Sequence, residues 1–341
     1  MNLLRCLDRI WYQPNPWRWL LAPLALCYRW ITDLRRLLYR WGIRPVTVLP
    51  VPVVVVGNLT VGGTGKTPLV IWLTEELRQR GLSVGIVSRG YGGRAASWPQ
   101  AVDADSDPTL VGDEAVMLAR ATNCPVSVGP DRVKAARALL AREQVDVLLA
   151  DDGLQHLALG RIMEIVVVDG ERGLGNGWCL PAGPLRERRD RLARAGAVVV
   201  NGGDWRPDEG TRDTFRATMQ AQHVSRLTGS ARRSLGSFGG ASVHAVAAIG
   251  HPERFFRMLE ADGLKVIAHP LPDHASIDAA DLQFDDSRPV LVTEKDAVKC
   301  ERVAHEDVWS VPVKLSFELQ ASDGLLTLVA KHMEECRWIS P

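Results

Sequence analysis

Residues 53–68 read VVVVGNLTVGGTGKTP, an apolar run entering a glycine-rich turn that ends in Gly65-Lys66-Thr67. At such a turn, consecutive backbone N–H groups and a helix N-terminus converge on phosphate oxygens. The lysine reaches the terminal phosphates, and the hydroxyl after it ligates Mg2+. The pattern G-x-x-x-x-G-K-[ST] lacks its first glycine, replaced here by Thr60. That position shapes the approach to the turn more than the phosphate contact. The expected nucleotide-binding residues are therefore Thr60, Val61, Gly62, Gly63, Thr64, Gly65, Lys66 and Thr67. A metal-assisted phosphoryl-transfer site also needs carboxylates at the end of a neighbouring buried strand. Asp151 and Asp152, directly after Val147-Leu148-Leu149-Ala150, are the expected Mg2+ ligands beside Thr67. No guanine-specific N/T-K-x-D spacing is evident, which favours ATP.

These residues need a scaffold that places strand ends next to helix starts, and the chain repeats strand, turn and helix from residue 51 onward. Strands are predicted at 51–56, 83–87, 125–128, 145–150, 165–168 and 197–200, with helices at 67–80, 113–122 and 132–143. Unalternating Val/Ile runs imply strands covered on both faces, hence a P-loop-type, mostly parallel α/β sheet. A Gly-, Ser-, Arg- and Asp-rich stretch, 201–242, breaks the rhythm, with 215–227 expected as part of a connecting ribbon. A second, smaller α/β unit follows: strands at 243–249, 265–268, 289–293 and 308–313, and helices at 252–261 and 321–336. The domains expected are an amphipathic head (1–45), a P-loop domain (46–212), a linker (213–242) and the smaller α/β domain (243–341).

The 341 residues carry a formal net charge of +1, so charge alone implies no partner, but its distribution is uneven. The first 50 residues hold eight arginines (Arg5, Arg9, Arg18, Arg29, Arg35, Arg36, Arg40, Arg44) against Asp8 and Asp33, and five of the eleven tryptophans. From Leu24 to Trp41 apolar residues recur at helical spacing (Leu24, Tyr28, Ile31, Leu34, Leu38, Trp41) with arginines between them. Aromatic rings beside guanidiniums suit a helix lying in a lipid headgroup layer. Within residues 1–45 the longest uncharged run, 19–28, is about half the ~20 residues of a membrane-spanning helix and contains Pro23. The alternative is a helix packed on the body of the protein; peripheral membrane contact is the reading preferred. Positive charge concentrated in a head of tryptophan and leucine argues against nucleic acid. Six scattered cysteines without a CxxC pair suit a reducing compartment.

Seven motifs, VGNLTVGGTGKTP, SRGYGG, GDEA, DDGLQH, GNGWCLPAGPLRE, PDHA and TEKDAVK, occur in this order over almost the whole chain. Together they resemble the tetraacyldisaccharide 4'-kinases, the lipid A 4'-kinases of Gram-negative bacteria. The resemblance implies an ATP- and Mg2+-dependent kinase that phosphorylates the 4'-hydroxyl of a tetraacyl glucosamine disaccharide 1-phosphate. It implies a peripheral protein at the cytoplasmic face of the inner membrane, a glycolipid substrate, a monomer, and an active site in a cleft between two α/β domains. By the same resemblance Asp113 is the general base, His274 holds and tunes it, and Lys66 assists transfer. Glu114 joins the metal residues. Arg186 and Glu187 belong to the active site, and Arg132, Arg89 and Tyr91 are phosphate or sugar contacts. Without the resemblance Asp113 reads equally as a helix N-cap and His274 as an ordinary histidine. The chain departs from the family where Ala275 replaces a second histidine and where Arg188 and Ala115 replace prolines.

A partner-driven switch ATPase, whose loop is similar, is the alternative function. Such switches often carry a lysine just before the paired glycines, where this chain has Val61.

Overall fold

The structure, a computed structural model, describes residues 3–208, 210–211, 213–221 and 223–337. Of the positions singled out above, Arg212 lies outside the described residues, as do the side chains of Arg5, Cys6 and Cys336. The chain forms two compact units. The first comprises Met1–Arg89, Asp131–Thr218 and Phe317–Pro341; the second comprises Gly90–Pro130 and Met219–Ser316. The chain thus passes between units at four points rather than at one linker. Residues 90–130, assigned from sequence to the P-loop domain, belong to the second unit, and the C-terminal helix Leu319–Arg337 belongs to the first.

In the first unit, parallel strands run in the order Thr214–Gln220, Ala197–Asn201, Met163–Asp169, Val53–Gly57, Val147–Asp151, Val84–Ser88. The four central ones are almost wholly buried, as their Val-rich runs require. Val53–Gly57 lies mid-sheet, so the loop after it opens at the carboxyl edge, where open α/β sheets bind ligands. Gly57 is forced by packing: a Cβ there would meet Leu154 Cγ at 2.5 Å. Ahead of the sheet come two helices, Leu3–Tyr12 and Trp17–Arg40.

The second unit has a six-stranded sheet ordered Arg232–Ser234, His223–Arg226, Val308–Val311, Val290–Thr293, Ser242–Ala247, Lys265–Pro270. The last four are parallel and the first two antiparallel. One face packs on Phe255, Phe256 and Leu259 of the helix Pro252–Ala261. The other carries Val246, Val290 and Val292 against Ile277 and Leu282. The expected ribbon over 215–227 is instead two strands, Thr214–Gln220 and His223–Arg226, each paired into its own unit's sheet. No helix among the described residues is long and apolar enough to cross a membrane.

Candidate active site

The phosphate cradle is built by backbone geometry. Gly62 (φ +108°) and Gly65 (φ +93°) occupy the left-handed region that favours glycine, and Gly65 caps the helix Lys66–Gln79. A Cβ at Gly62 or Gly63 would meet nothing within 4 Å, so the loop presents its backbone to open space. Asn58 braces it: its Nδ2 donates to Gly62 O (3.2 Å) while its Oδ1 accepts from Lys66 Nζ (3.2 Å). Asn201 Nδ2 donates to Thr64 O (2.9 Å).

Thr60 forms an isolated β-bridge with Leu185. Val61 N donates to Pro184 O (2.9 Å), and Arg186 N donates to Leu59 O (2.6 Å). The segment 184–186 is therefore zipped to the start of the P-loop. An extended residue suits that bridge, which explains why glycine is not needed at position 60. The same bonds engage the backbone at Thr60 and Val61, both expected at the nucleotide, whereas Gly62 and Gly63 face open space.

This zipper places Arg186 beside the Asp pair. Arg186 Nη1 donates to both carboxylate oxygens of Asp152 (3.1 and 3.2 Å) and to Gln155 Oε1 (3.3 Å). Lys66 Nζ lies 3.6 Å from the same carboxylate. Arg132, buried at the start of a helix capped by Asp131, donates to Asp152 O (3.4 Å). Burial pushes the Arg132 guanidinium down to about 10, against the opposing pull of Asp152 and together with the neighbouring charge of Arg89. Burial would raise the Asp152 carboxyl, but Lys66, Arg186 and Arg132 outweigh it and hold it below the usual carboxylate range. Two cations thus meet one carboxylate and a third holds the carbonyl of the same residue, a charge distribution that fits a polyphosphate.

Asp151 sits apart from that cluster. Buried at its strand end, it accepts from Thr67 Oγ1 at 3.2 Å. A hydroxyl beside a carboxylate at the mouth of a phosphate cradle is a hard-oxygen donor set that fits Mg2+. Glu187, expected to contact substrate, is buried: Gln155 Nε2 donates to it (3.2 Å), and Arg36 (3.4 Å) and Arg191 (3.5 Å) pair with it. Its position makes it a brace for Arg186 and Gln155.

The head is fastened to this region. Tyr28 OH donates to Arg186 O (3.2 Å), Arg35 to Gln155 O (3.0 Å), and Trp19 stacks edge-on against Trp178. Arg35 and Arg36, read from sequence as lipid-facing, instead reach the body. The opposite face stays bare, with Leu20 69%, Trp30 77% and Ile31 67% exposed beside Trp17, Leu24, Leu34 and Trp41. The alternative reading of the head holds for one face, which is packed on the body, while the other face exposes a run of apolar side chains.

The second unit carries the acid–base candidates. Asp113 is the first residue of the helix Asp113–Thr122, behind Gly112 (φ +95°), whose Cβ would strike Tyr91 O at 2.5 Å. That contact docks the SRGYGG turn on the GDE turn and sets Tyr91 4.7 Å from the His274 ring, centroid to centroid. His274, at φ +60°, has Nδ1 3.2 Å from Asp113 Oδ2; Asp113 Oδ1 accepts from Glu114 N (2.9 Å). Burial alone would raise the Asp113 carboxyl, but the His274 hydrogen bond and the charges of Lys295 and Lys299 hold it below the usual range. The Asp113 hydrogen bond holds His274 above its ordinary value, against burial and Lys295. Glu114, expected at the metal, is paired with Lys295 Nζ (2.9 Å).

Sequence reasoning passed over Asn58, Gln155, Lys295 and Lys299. All four lie inside the quoted motifs, and the i, i+4 spacing of the lysines in TEKDAVK puts both on one helix face. Among the described residues no cluster of three or more His, Cys, Asp or Glu could hold a metal, so a cation beside the Thr67 hydroxyl and the Asp151 carboxylate would need phosphate oxygens to complete its shell.

A parallel sheet with a P-loop at mid-sheet, a Thr–Asp pair for Mg2+ and a cationic cluster beside it defines a P-loop phosphotransferase. The family model described as Tetraacyldisaccharide-1-P 4'-kinase matches residues 17–333, and the chain belongs to that family. It is 51% identical to the tetraacyldisaccharide 4'-kinase of Nitrosococcus oceani, over 94% of this chain and 93% of the relative. It is 53% identical to that of Alkalilimnicola ehrlichii, over 94% and 95%. The crystal structure of LpxK from Aquifex aeolicus in complex with ATP superposes with a TM-score of 0.76 at 27% identity, covering 93% of this chain and 99% of that one. The chain is accordingly a kinase of lipid A biosynthesis that uses ATP and Mg2+, and the switch-ATPase alternative is set aside.

Proposed function

We propose that Lys66, Arg186 and Arg132 hold the polyphosphate of ATP, with Asp113 removing the proton from the 4'-hydroxyl of a tetraacyl disaccharide 1-phosphate. The observation that carries the reading is the convergence of those three cations on Asp152. When bound, Mg–ATP supplies the transferable phosphoryl group and neutralises charge on its oxygens. Thr67 and Asp151 are the Mg2+ ligands, Gly62 to Thr67 the cradle, and Asp152 the counter-ion that keeps Lys66 and Arg186 aligned. Asp113 is ionised, takes a hydrogen bond from His274 and a backbone N–H from Glu114, and keeps further lone pairs to receive a hydroxyl proton. Tyr91, against His274, faces the sugar.

The bare face of the helix Trp17–Arg40 docks the protein on the cytoplasmic surface of the inner membrane, where its glycolipid acceptor lies. Exposed tryptophan, leucine and isoleucine flanked by arginine support that placement.

The test supplies γ-labelled ATP, Mg2+ and a detergent extract of inner-membrane lipids. Label enters a glycolipid with the wild type, and Lys66→Ala abolishes transfer. Asp113→Asn lowers turnover by roughly 10²–10⁴-fold while ATP still binds. An Asp113→Asn protein with near-normal turnover removes Asp113 from the base role.

A further inference from the structure

The ammonium of Lys295 has only donors: three N–H bonds and no lone pair. It lies 2.9 Å from Glu114 Oε1, 3.2 Å from His274 Nε2 and 3.8 Å from Asp273 Oδ1. At 3.2 Å from a pure donor, Nε2 can take part in a hydrogen bond only as an acceptor. On the neutral ring a proton on Nε2 would point one N–H at another, and the nearby Asp273 Oδ1, 3.6 Å from Nε2, lies beyond hydrogen-bond reach. The remaining imidazole proton must then sit on Nδ1, the nitrogen that faces Asp113 Oδ2 at 3.2 Å. A histidine's tautomer is set by the bond its other ring nitrogen makes, and here that bond is made by a residue 21 positions away.

We propose that Lys295 is a positioning residue: by donating to Nε2 of His274 it locks the tautomer whose Nδ1–H is given to Asp113. Its catalytic consequence rests on the base role of Asp113 proposed above; the tautomer lock itself does not. The surroundings make Lys295 a fixture. Its side chain is 14% exposed, the helix Glu294–Cys300 is capped by the Thr293 side chain, and Glu114 anchors the ammonium from the helix that Asp113 begins. One turn on, Lys299 is bound to the fully buried Asp296 (2.6 Å) and to Ala275 O (3.2 Å), and stands 3.9 Å from Asp113 Oδ2. The helix thus addresses both members of the pair: Lys295 the far nitrogen of the histidine, and Lys299 the carboxylate. His274 itself is held at φ +60° by the hydrogen bond from its N–H to Ala248 O (3.1 Å), so the ring cannot satisfy Lys295 by a backbone adjustment alone.

The test uses the full chain labelled with ¹⁵N-histidine. Long-range ¹H–¹⁵N correlations report which ring nitrogen bears the proton, and His274→Gln identifies the His274 signals. At a pH above the raised value of His274, where the ring is neutral, the wild type should show a single Nδ1–H tautomer. Lys295→Met, with no donor, should show a mixture of tautomers and a turnover about 10- to 100-fold lower with KM for ATP unchanged, short of the full ~10²–10⁴ of general-base catalysis. Lys295→Gln, whose amide can donate but carries no charge, should restore the Nδ1–H tautomer and most of the turnover. An Nε2–H tautomer in the wild type overturns the proposal, as does an unchanged tautomer in Lys295→Met. Because the first of these readings needs no variant, a misfolded Lys295→Met protein does not shelter the idea. Normal turnover in Asp113→Asn beside a fixed His274 tautomer would remove the base role and leave the lock standing.

Discussion

Replacing Asp152 by Asn tests whether the cationic cluster is built for an anionic ligand. The carboxylate stands 3.1 Å from Arg186 Nη1 and 3.6 Å from Lys66 Nζ. At an effective dielectric of about 20, each contact represents roughly 4–5 kcal/mol of gross attraction before desolvation. Breaking a fully buried pair costs about 3–5 kcal/mol and an exposed one about 0.2–1 kcal/mol. The Asp152 side chain is 29% exposed and that of Lys66 13%, so the site lies between these limits, at about 2 kcal/mol. Because the folded carboxyl is held below its unfolded value, this contribution is complete above the ordinary carboxylate range and is lost only as pH falls through the depressed value. At neutral pH it is therefore fully present. At about 2–4 °C per kcal/mol, Asp152→Asn should lower Tm by roughly 4–8 °C in the ligand-free protein. Saturating ATP brings its own negative charge to Lys66, Arg186 and Arg132, so the gap between variant and wild type should shrink by about half or more. Differential scanning fluorimetry with and without ATP measures both gaps. An Asn variant as stable as the wild type, or a gap that ATP leaves unchanged, refutes the counter-ion argument.

Two further outcomes follow from the geometry. Leu20→Ser, Leu24→Ser, Trp30→Ser and Ile31→Ser combined remove roughly 1.5–3 kcal/mol of burial per side chain on insertion, so recovery on anionic vesicles should fall at least about 100-fold by sedimentation, with folding intact because this face is bare; unchanged recovery counts against lipid docking. His274 is held above its ordinary value, so its bond to Asp113 stabilises fully below that value and loses effect as pH rises through the raised one; the Tm difference between wild type and His274→Gln should narrow from about pH 6 to about pH 9, and a widening difference refutes the sign.

The parts of the site that were legible in the sequence are those made by neighbours in the chain. A Val run before Gly62-Gly63-Thr64-Gly65-Lys66-Thr67 declares strand, cradle and helix within 16 residues, and Asp151 declares itself by ending another such run. The helix Asp113–Thr122 was predicted at its observed bounds because a glycine and two acidic residues mark its start. The parts that stayed hidden depend on pairings across 100 residues or more. Nothing local to Thr60 foretells its bridge to Leu185, and nothing local to Glu187 foretells Arg36 at its carboxylate. The assignment of residues 90–130 to the second unit was equally illegible, because periodicity reports a segment's type and not the core it joins. Arg35 and Arg36 show the same limit: helical spacing identified an amphipathic stretch, but a helix with two useful faces does not announce which of them meets the protein.

That two-faced helix bears on how the phosphate site is held. Tyr28, Arg35 and Arg36 grip Arg186 O, Gln155 O and the Glu187 carboxylate. Gln155 donates to Glu187 and accepts from Arg186, which binds Asp152 beside Lys66. Every link from the helix to the P-loop lysine is a hydrogen bond or ion pair, and all but the exposed Arg35–Gln155 bond join partly or fully buried groups. A helix fastened this way cannot tilt or slide by a turn without displacing Arg186 from Asp152. If its bare face rests on lipid, the height of the phosphate site above the membrane is set by these bonds, and the acceptor's headgroup is met at a fixed depth. Arg35 and Arg36, read in sequence as lipid-facing, are links in this chain of bonds to the phosphate site.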